Sequence, residues 1–417
     1  MTNLNTKIYD IAVLGGGASG MMAAITSARL KMSVILLEKN TSLGRKILAT
    51  GNGRCNLTNR FTEVSRYHGG NPRFIEEVLN NFNQSETIKF FEDLGLILKE
   101  ENLGRIFPRT DQASSVVDAL IHELENQKVE ISLDNQVRKV QKEGAIFKIT
   151  LQNGKEILAE KIIVTTGGSA APHLGTSGDA YFWLKNFGHN STNIYPALSP
   201  LEIKEDWIKQ VQGLKIEAKV STSINNEIIY EKEGDALFTH FGLSGPAAMA
   251  QAGAIGPYLN SNGNNLVKVH LDLFPEEKLE NLDEKLAKII NSSGAKNIKN
   301  ILAGLIPSNL SPVILDNLKI DQNKKSAEIS KIDRKNISKT LKNIELTVSG
   351  VKSFKDAQVT HGGINLDEIN SKTLESKLVP NLYLAGEVLD VNGDSGGFNL
   401  QWAWSSGHLA GESSAKN

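Results

Sequence analysis

Tyr9-Asp-Ile-Ala-Val-Leu14 runs directly into Gly15-Gly16-Gly17-Ala18-Ser19-Gly20. The first six residues are a short apolar run of the buried-strand kind, and Ala18 to Leu30 carry apolar side chains at helical spacing. Between them Gly15, Gly17 and Gly20 fit a G-x-G-x-x-G turn. The first glycine permits the tight turn, the second lets a pyrophosphate approach the backbone, and the third lets helix pack closely on strand. Ala18 and Ser19 then begin a helix whose N–H groups and positive dipole end face that pyrophosphate. A second strand, Ser33–Leu37, ends in Glu38, with Lys39 beside it; an acid there accepts from a ribose hydroxyl. The unit predicts a Rossmann-like dinucleotide site, satisfied equally by NAD and FAD.

Two further stretches choose between them. Gly44-Arg45-Lys46 and Gly51-Asn52-Gly53-Arg54-Cys55-Asn56-Leu57-Thr58-Asn59 are too rich in glycine, asparagine and basic residues for an ordinary loop. Arg45 and Lys46 suit the adenosine phosphates, and Asn56 and Thr58 the ribityl chain or ring. Cys55 has two readings: a thiol with a pKa lowered by Arg54, moving a proton beside a flavin, or a small side chain filling a tight loop. Near the other end, Leu382–Ala385 reads as a strand closing on Gly386-Glu387, whose acid suits ribityl hydroxyls. Gly396-Gly397-Phe398-Asn399 then opens a helix whose N–H groups suit the flavin N1–C2=O edge, where negative charge builds on reduction. NAD makes no such demand, so the helix argues for FAD. Thr166-Gly167-Gly168, after the strand Lys161–Thr165, lets the chain pass close to the cofactor. A cofactor held from both ends makes the middle of the chain an insertion.

The bulk properties agree with an ordinary globular protein of two or three domains: 417 residues, 40% hydrophobic, formal net charge −1. No global field attracts polyanions. The single cysteine excludes an intrachain disulfide and a multi-cysteine zinc site, and no metal-ligand cluster stands out. Met1–Lys7 is polar, without a signal-type apolar run, and no apolar run reaches the roughly 20 residues of a membrane span, so a cytoplasmic protein is expected. From about Asn193 the pattern changes. Ile216–Ile224, Glu227–Glu231 and Leu266–Leu271 alternate like antiparallel strands, and Pro275 to Lys342 reads as helices. Lys319, Lys324, Lys325, Lys331, Arg334, Lys335, Lys339 and Lys342 outnumber Asp321, Glu328 and Asp333 there, as on an RNA-facing surface or a solvated helical face.

The Gly44–Asn59 stretch resembles the hallmark of a bacterial flavoprotein family, the aminoacetone-oxidase-family or BaiN/RdsA-type FAD-binding oxidoreductases. Gly104-Arg105-Ile106-Phe107-Pro108, Thr166-Gly167-Gly168-Ser169, Leu237–Pro246, Thr360-His361-Gly362-Gly363-Ile364 and Ala385–Gln401 extend the resemblance in order along nearly the whole chain. It implies a GR2-type α/β FAD-binding domain with an inserted antiparallel β-barrel and a small helical lobe. The implied boundaries are 1–192 with 353–417 for the FAD domain, 193–274 with 343–352 for the barrel, and 275–342 for the lobe. It also implies that the backbone at Val137 meets the adenine; His240, Ser244 and His361 lie in these motifs and have two readings, substrate contact or loop shaping. The implied activity is flavin hydride transfer to a uracil of 23S ribosomal RNA, making dihydrouridine with Cys55 as the acid. Alternatives are an oxidase or reductase of a small amino ketone or enone, and a non-enzymatic flavin-binding protein. With only one strand–glycine–helix unit, NAD(P)H would bind transiently over the flavin; no membrane or metal partner is expected.

Overall fold

Ile11 to Leu14 are buried on both faces of their strand, as the central strand of a parallel sheet must be. The structure is a computed structural model describing residues 7–259 and 266–417; Met1–Thr6, part of the polar start noted above, lies outside them. One unit runs to Tyr195 and resumes at Gln358, and Pro196–Ala357 form a second. Among the elements of the first unit, in chain order, are β1 (Ile8–Leu14), α1 (Ala18–Arg29), β2 (Val34–Leu37), α2 (Arg45–Ala49), α3 (Ala113–Asn126), β3 (Glu130–Ser132), β4 (Val137–Glu143), β5 (Ile146–Leu151), β6 (Glu156–Val164), β7 (Leu382–Leu384) and α4 (Phe398–Lys416).

The main sheet has the order β3-β2-β1-β6-β5-β4, with β7 also on β6. Strand β6 lies parallel to β1, and its other edge is shared. Glu156–Ala159 pair antiparallel with β5, whereas Ile162–Val164 pair parallel with Leu382–Leu384. The chain therefore returns to the heart of the first sheet after the insertion. Helix α4 is buried nearly all round, including Trp402, Trp404, Leu409 and Ala410, and it lies against α1. Small residues permit the approach: a Cβ on Gly407 would stand 2.4 Å from the Ser19 carbonyl oxygen, and one on Gly411 2.6 Å from that of Ala23. The indole N–H groups of Trp402 and Trp404 donate to the carbonyls of Gly386 (3.1 Å) and Leu57 (2.9 Å), so neither aromatic residue buries an unsatisfied donor.

The second unit is a closed six-stranded antiparallel barrel. Around it run Leu201–Ile203, Gly242–Ser244, Glu227–Phe238, Lys215–Ile224, Val267–Asp272 and Ile344–Val351, which pairs back onto the first. Val267, Val269 and Leu271 are buried while Lys268, His270 and Asp272 are not, the period-2 pattern of a strand with one face inward. Helices Leu279–Ser292, Ile298–Leu302, Leu310–Asn317 and Lys331–Lys342 lie between the last two barrel strands, and barrel and helices share one apolar cluster. Ser330 caps the last of these helices by accepting from Asp333 N, whose side chain returns the bond. Arg334 forks onto Asp283 (2.9 and 2.7 Å), tying that helix to Leu279–Ser292.

Candidate flavin site

The three fingerprint glycines serve different surroundings. At Gly15 (φ 113°) a Cβ would stand 2.6 Å from the Thr165 carbonyl oxygen, and at Gly20 1.8 Å from that of Gly15. Both are required by packing. Around Gly17 a Cβ would meet nothing within 4 Å, so this glycine leaves bare backbone on an open side, at the uncapped start of α1. Glu38 closes β2 with both oxygens engaged: Oε2 accepts from Gly16 N (2.7 Å) and Oε1 from Asn40 N (2.8 Å) and Nδ2 (2.6 Å). Asp134 N and Asn135 N donate to the carbonyls of Asn40 and Glu38, which brings the start of β4 at Val137 alongside that acid. Lys39 reaches Ser177 (2.5 Å) and Asp179 (2.8 Å), and Arg45 donates to Asn40 Oδ1 (2.8 Å).

The last segment meets the first here. Gly386 (φ 80°) has no room for a side chain because Ser19 Oγ lies 2.5 Å from its Cβ position. Glu387 Oε2 accepts from Lys46 Nζ (2.7 Å) and Oε1 from Thr360 N (2.8 Å). Thr360 Oγ1 in turn accepts from Ser169 N and Ala170 N, holding the Thr166–Gly168 passage. Gly397 (φ 101°) is the uncapped entry to α4, pressed against the Thr58 carbonyl and Asn56 Oδ1. Thr58 itself is buried and donates to Gln401 (2.5 Å), so its hydroxyl fixes α4 to the loop. Asn399 accepts from Gly393 N and donates to the carbonyls of Gly393 and Asp394, while Phe398 meets Tyr67 edge-on.

These residues fit an FAD. Two helices begin there without side-chain caps, the backbone at Gly17 is bare, and Arg45 brings a positive charge, while Lys39 and Lys46 are paired with Asp179 and Glu387. Among the described residues, Asn56 Oδ1 and Thr166 Oγ1 are buried without a hydrogen-bond partner, as atoms that face a polar ligand would be.

The expectation of a lowered Cys55 pKa is overturned. Burial pushes its thiol up to about 12, and Cys55 has no exposed surface. The charge expected to lower it is engaged elsewhere: Arg54 pairs with Glu101 (2.9 Å) and Asp111 (3.3 Å) and lies 4.2 Å over the Phe107 ring.

The sequence reading passed over a polar cluster beside this site. Tyr67–Gly69 and Val391–Gly393 pair antiparallel, with His68 opposite Asn392. His68 Nε2 lies 2.8 Å from Oδ1 of the buried Asp394, whose Oδ2 is 3.5 Å from Arg66. His361 Nδ1 is 3.0 Å from Asn392 Oδ1, with its ring stacked on Tyr195. Asp394 stands inside a quoted motif, but nothing near His68 marks it. In the second unit, His240 meets Phe241 edge-on and Ser244 lies against Met249. Of the eight basic residues singled out there, Lys324, Arg334 and Lys342 are held by Asp333, Asp283 and Asp272. Lys319, Lys325, Lys331, Lys335 and Lys339 are exposed.

Among the described residues no helix is long and apolar enough to cross a membrane, and no group of acids, histidines or cysteine is placed to hold a metal. The family model for the HI0933-like protein Rossmann domain matches residues 9–413. A 3-dehydro-bile acid delta(4,6)-reductase of Clostridium scindens is 36% identical over 97% of this chain and 99% of its own. A ribosomal RNA dihydrouridine synthase of Escherichia coli is 33% identical over 95% of this chain and 96% of its own. The solved 3-ketosteroid delta1-dehydrogenase of Sterolibacterium denitrificans shares the fold at 12% identity, with a TM-score of 0.54 and coverage of 99% and 100%. The chain belongs to the HI0933-like family, the BaiN/RdsA group of FAD-dependent oxidoreductases.

Proposed function

We propose that this chain reduces a carbon–carbon double bond conjugated to a carbonyl, and that its substrate is a uracil of ribosomal RNA, converted to dihydrouridine. One observation carries the reading: relatives named for a bile-acid reduction and for dihydrouridine synthesis both align with nearly the whole chain. The two names describe one electronic problem. The C5=C6 bond of uracil is conjugated to C4=O, as a Δ4 bond is to a 3-oxo group. Hydride at the far carbon pushes charge onto the carbonyl, and a proton at the near carbon completes the reduction.

FAD, when bound, supplies the two electrons. Lys39, Arg45, Lys46 and the start of α1 at Gly17, Ala18 and Ser19 would hold its diphosphate, with Glu38 and the Val137 backbone at the adenosine. Gly53, Arg54, Asn56, Thr58, Thr166, Gly167, Gly386 and Glu387 would border the ribityl chain. The N–H groups at Gly397, Phe398 and Asn399 would face the ring edge that becomes negative on reduction. With a single fingerprint, NAD(P)H would reduce the flavin from a transient site. The RNA reading is supported by Lys331, Lys335 and Lys339, exposed at successive i, i+4 positions along one helix. A uracil must leave its stack to reach a buried cofactor.

Mass-spectrometric mapping of ribosomal RNA from a deletion strain tests this. A dihydrouridine that vanishes on deletion and returns with the gene is expected; an unchanged map refutes the RNA substrate. The second reading, a small enone, is favoured by the 36% identity to the bile-acid reductase, and NAD(P)H-dependent loss of a 3-oxo-Δ4 steroid's absorbance would support it.

A further inference from the structure

We propose that the turn Asn102-Leu103-Gly104, with Phe61 lying on it, is a stacking platform for unpaired RNA beside the start of α4. This deepens the ribosomal RNA reading above and rests on it, with the start of α4 as the flavin edge. Three observations carry it. First, Leu103 joins the antiparallel strands Leu98–Glu101 and Arg105–Pro108 at a φ of 64°, in the left-handed region that glycine and asparagine favour. It is 81% exposed, so no burial offsets that conformation. Next to it the Phe61 ring lies against Gly104, where a Cβ would stand 2.8 Å from Cδ2 and Cε2, and Phe61 is 54% exposed. An aliphatic and an aromatic side chain are thus held out to solvent side by side. Second, the pair is tied to the flavin end. Asn59 Nδ2 donates to the carbonyls of Leu103 (3.1 Å) and of Gly396 (2.9 Å), one residue before the uncapped entry to α4. Third, arginine collects here. The chain has 36 lysines but ten arginines, and six of the ten fall within residues 54–109.

Two of those arginines flank the turn. Arg105 donates from Nε to the Asn102 carbonyl (3.0 Å) and, among the described residues, meets no carboxylate. Arg60, whose N–H donates to the Gly104 carbonyl (2.7 Å), shares an exposed ion pair with Glu100 (3.2 Å), which a phosphate replaces at little cost. Glu101 is held by Arg54, which leaves Glu63 as the acid of these segments without a basic partner among the described residues. The planar guanidinium fork matches phosphate oxygens and lies flat on bases, as the point charge of lysine does not. Two apolar side chains fall far short of the roughly 20–30 residues a side of a stable protein interface, so the occupant that fits is a nucleic acid. A uracil that leaves its stack uncovers the face of the neighbouring base. Phe61 and Leu103 cover that face, and Arg60 and Arg105 hold the flanking phosphates.

The test uses FAD-loaded wild type, Phe61→Ala, Leu103→Asn and Arg105→Gln, with ribosomal RNA from a deletion strain as the probe. Binding is measured across a salt series, and dihydrouridine formation by mass spectrometry. Phe61→Ala is expected to bind about 10-fold or more weakly with an unchanged salt slope, because a stacking contact releases no counterion. Arg105→Gln is expected to flatten the log–log salt slope by about 0.7, the share of one phosphate contact on a single strand. Leu103→Asn is expected to weaken binding a few-fold while its melting temperature holds or rises, since asparagine tolerates the positive φ. Dihydrouridine formation falls in step in all three, with FAD content kept. Should Phe61→Ala lose FAD or stability, the other two variants decide. Wild-type affinity and modification in the variants overturn the platform and leave the RNA reading standing. A wild type that neither binds nor modifies the RNA removes both. A wild-type dimer that Phe61→Ala converts to monomer also overturns the platform, making this face a contact between copies.

Discussion

Cys55 should be chemically silent in the folded protein. Its pKa rises from 9.0 to about 12 because the thiolate would be desolvated, with only Thr50 to offset the cost. The thiolate is therefore about a thousandfold rarer than in the unfolded chain at the same pH, or ~4 kcal/mol at ~1.4 kcal/mol per tenfold. Because the folded pKa lies above the unfolded one, this contribution is complete below pH 9.0 and lost as pH rises through about 12. Iodoacetamide labelling of FAD-loaded protein, followed by mass spectrometry at pH 8 to 9, should run about a thousandfold slower than after unfolding. Cys55→Ala leaves a small cavity, costing about 1–2 kcal/mol; it should keep its FAD and its turnover within a few-fold. Two results refute the reasoning: native labelling at the unfolded rate, or a Cys55→Ala protein that retains FAD but loses the ~100-fold or more expected for a missing acid.

Gly17→Ala should leave the melting temperature unchanged but weaken FAD binding at least ~10-fold in a fluorescence titration, because the added methyl meets only the space assigned to the cofactor. Gly407→Val should do the reverse first, lowering stability by at least about 1–3 kcal/mol in a denaturant melt through its clash with the Ser19 carbonyl. Replacing Lys331, Lys335 and Lys339 together by Glu should weaken ribosomal RNA binding and flatten its log–log salt dependence by roughly 2–3, with enone reduction unaffected. Arg334→Met should cost about 1–3 kcal/mol. Hydrogen bonding from Arg334 holds the Asp283 carboxyl below its usual range, so the lost stability is the part present above that range and removed as pH falls through the lowered pKa; melts at pH 7 and pH 3 should differ less in the variant than in wild type.

The fingerprint was legible because backbone contact leaves only glycine: Gly15 and Gly20 have carbonyl oxygens where a side chain would begin. The return to the first sheet was legible for a similar reason, since Gly386 and Gly397 each combine a positive φ with a neighbouring atom where a side chain would begin. Antiparallel strands were suggested by alternation along Ile216–Ile224, Glu227–Glu231 and Leu266–Leu271, and the barrel by the family resemblance. Its closure was not, because Leu201–Ile203 and Gly242–Ser244 are three residues each, too short to show a period. What the sequence hid was pairing across distance. Lys46 and Glu387 stand 341 positions apart, and His68 and Asp394 stand 326 apart, so neither pair leaves a local pattern. The basic residues of the helical region could not be sorted by count: two lysines and Arg334 hold neighbouring carboxylates within the unit, and only the geometry tells them from the exposed ones.

The packing of α4 on α1 also has a consequence for biosynthesis. Ser27 donates to the carbonyl of Gly411, 384 positions later. At about 5–20 residues per second, α1 waits roughly 20 to 80 s on the ribosome before its partner helix is translated. Throughout that time its small-residue face has nothing from α4 to cover it, and β6 lacks the strand that fills its free edge. The residues between Pro196 and Ala357 have their own apolar cluster and can complete it during the wait. The nascent chain thus passes through a stage with a finished insertion and an open cofactor domain, which makes the interval before α4 emerges the one in which chaperones matter most.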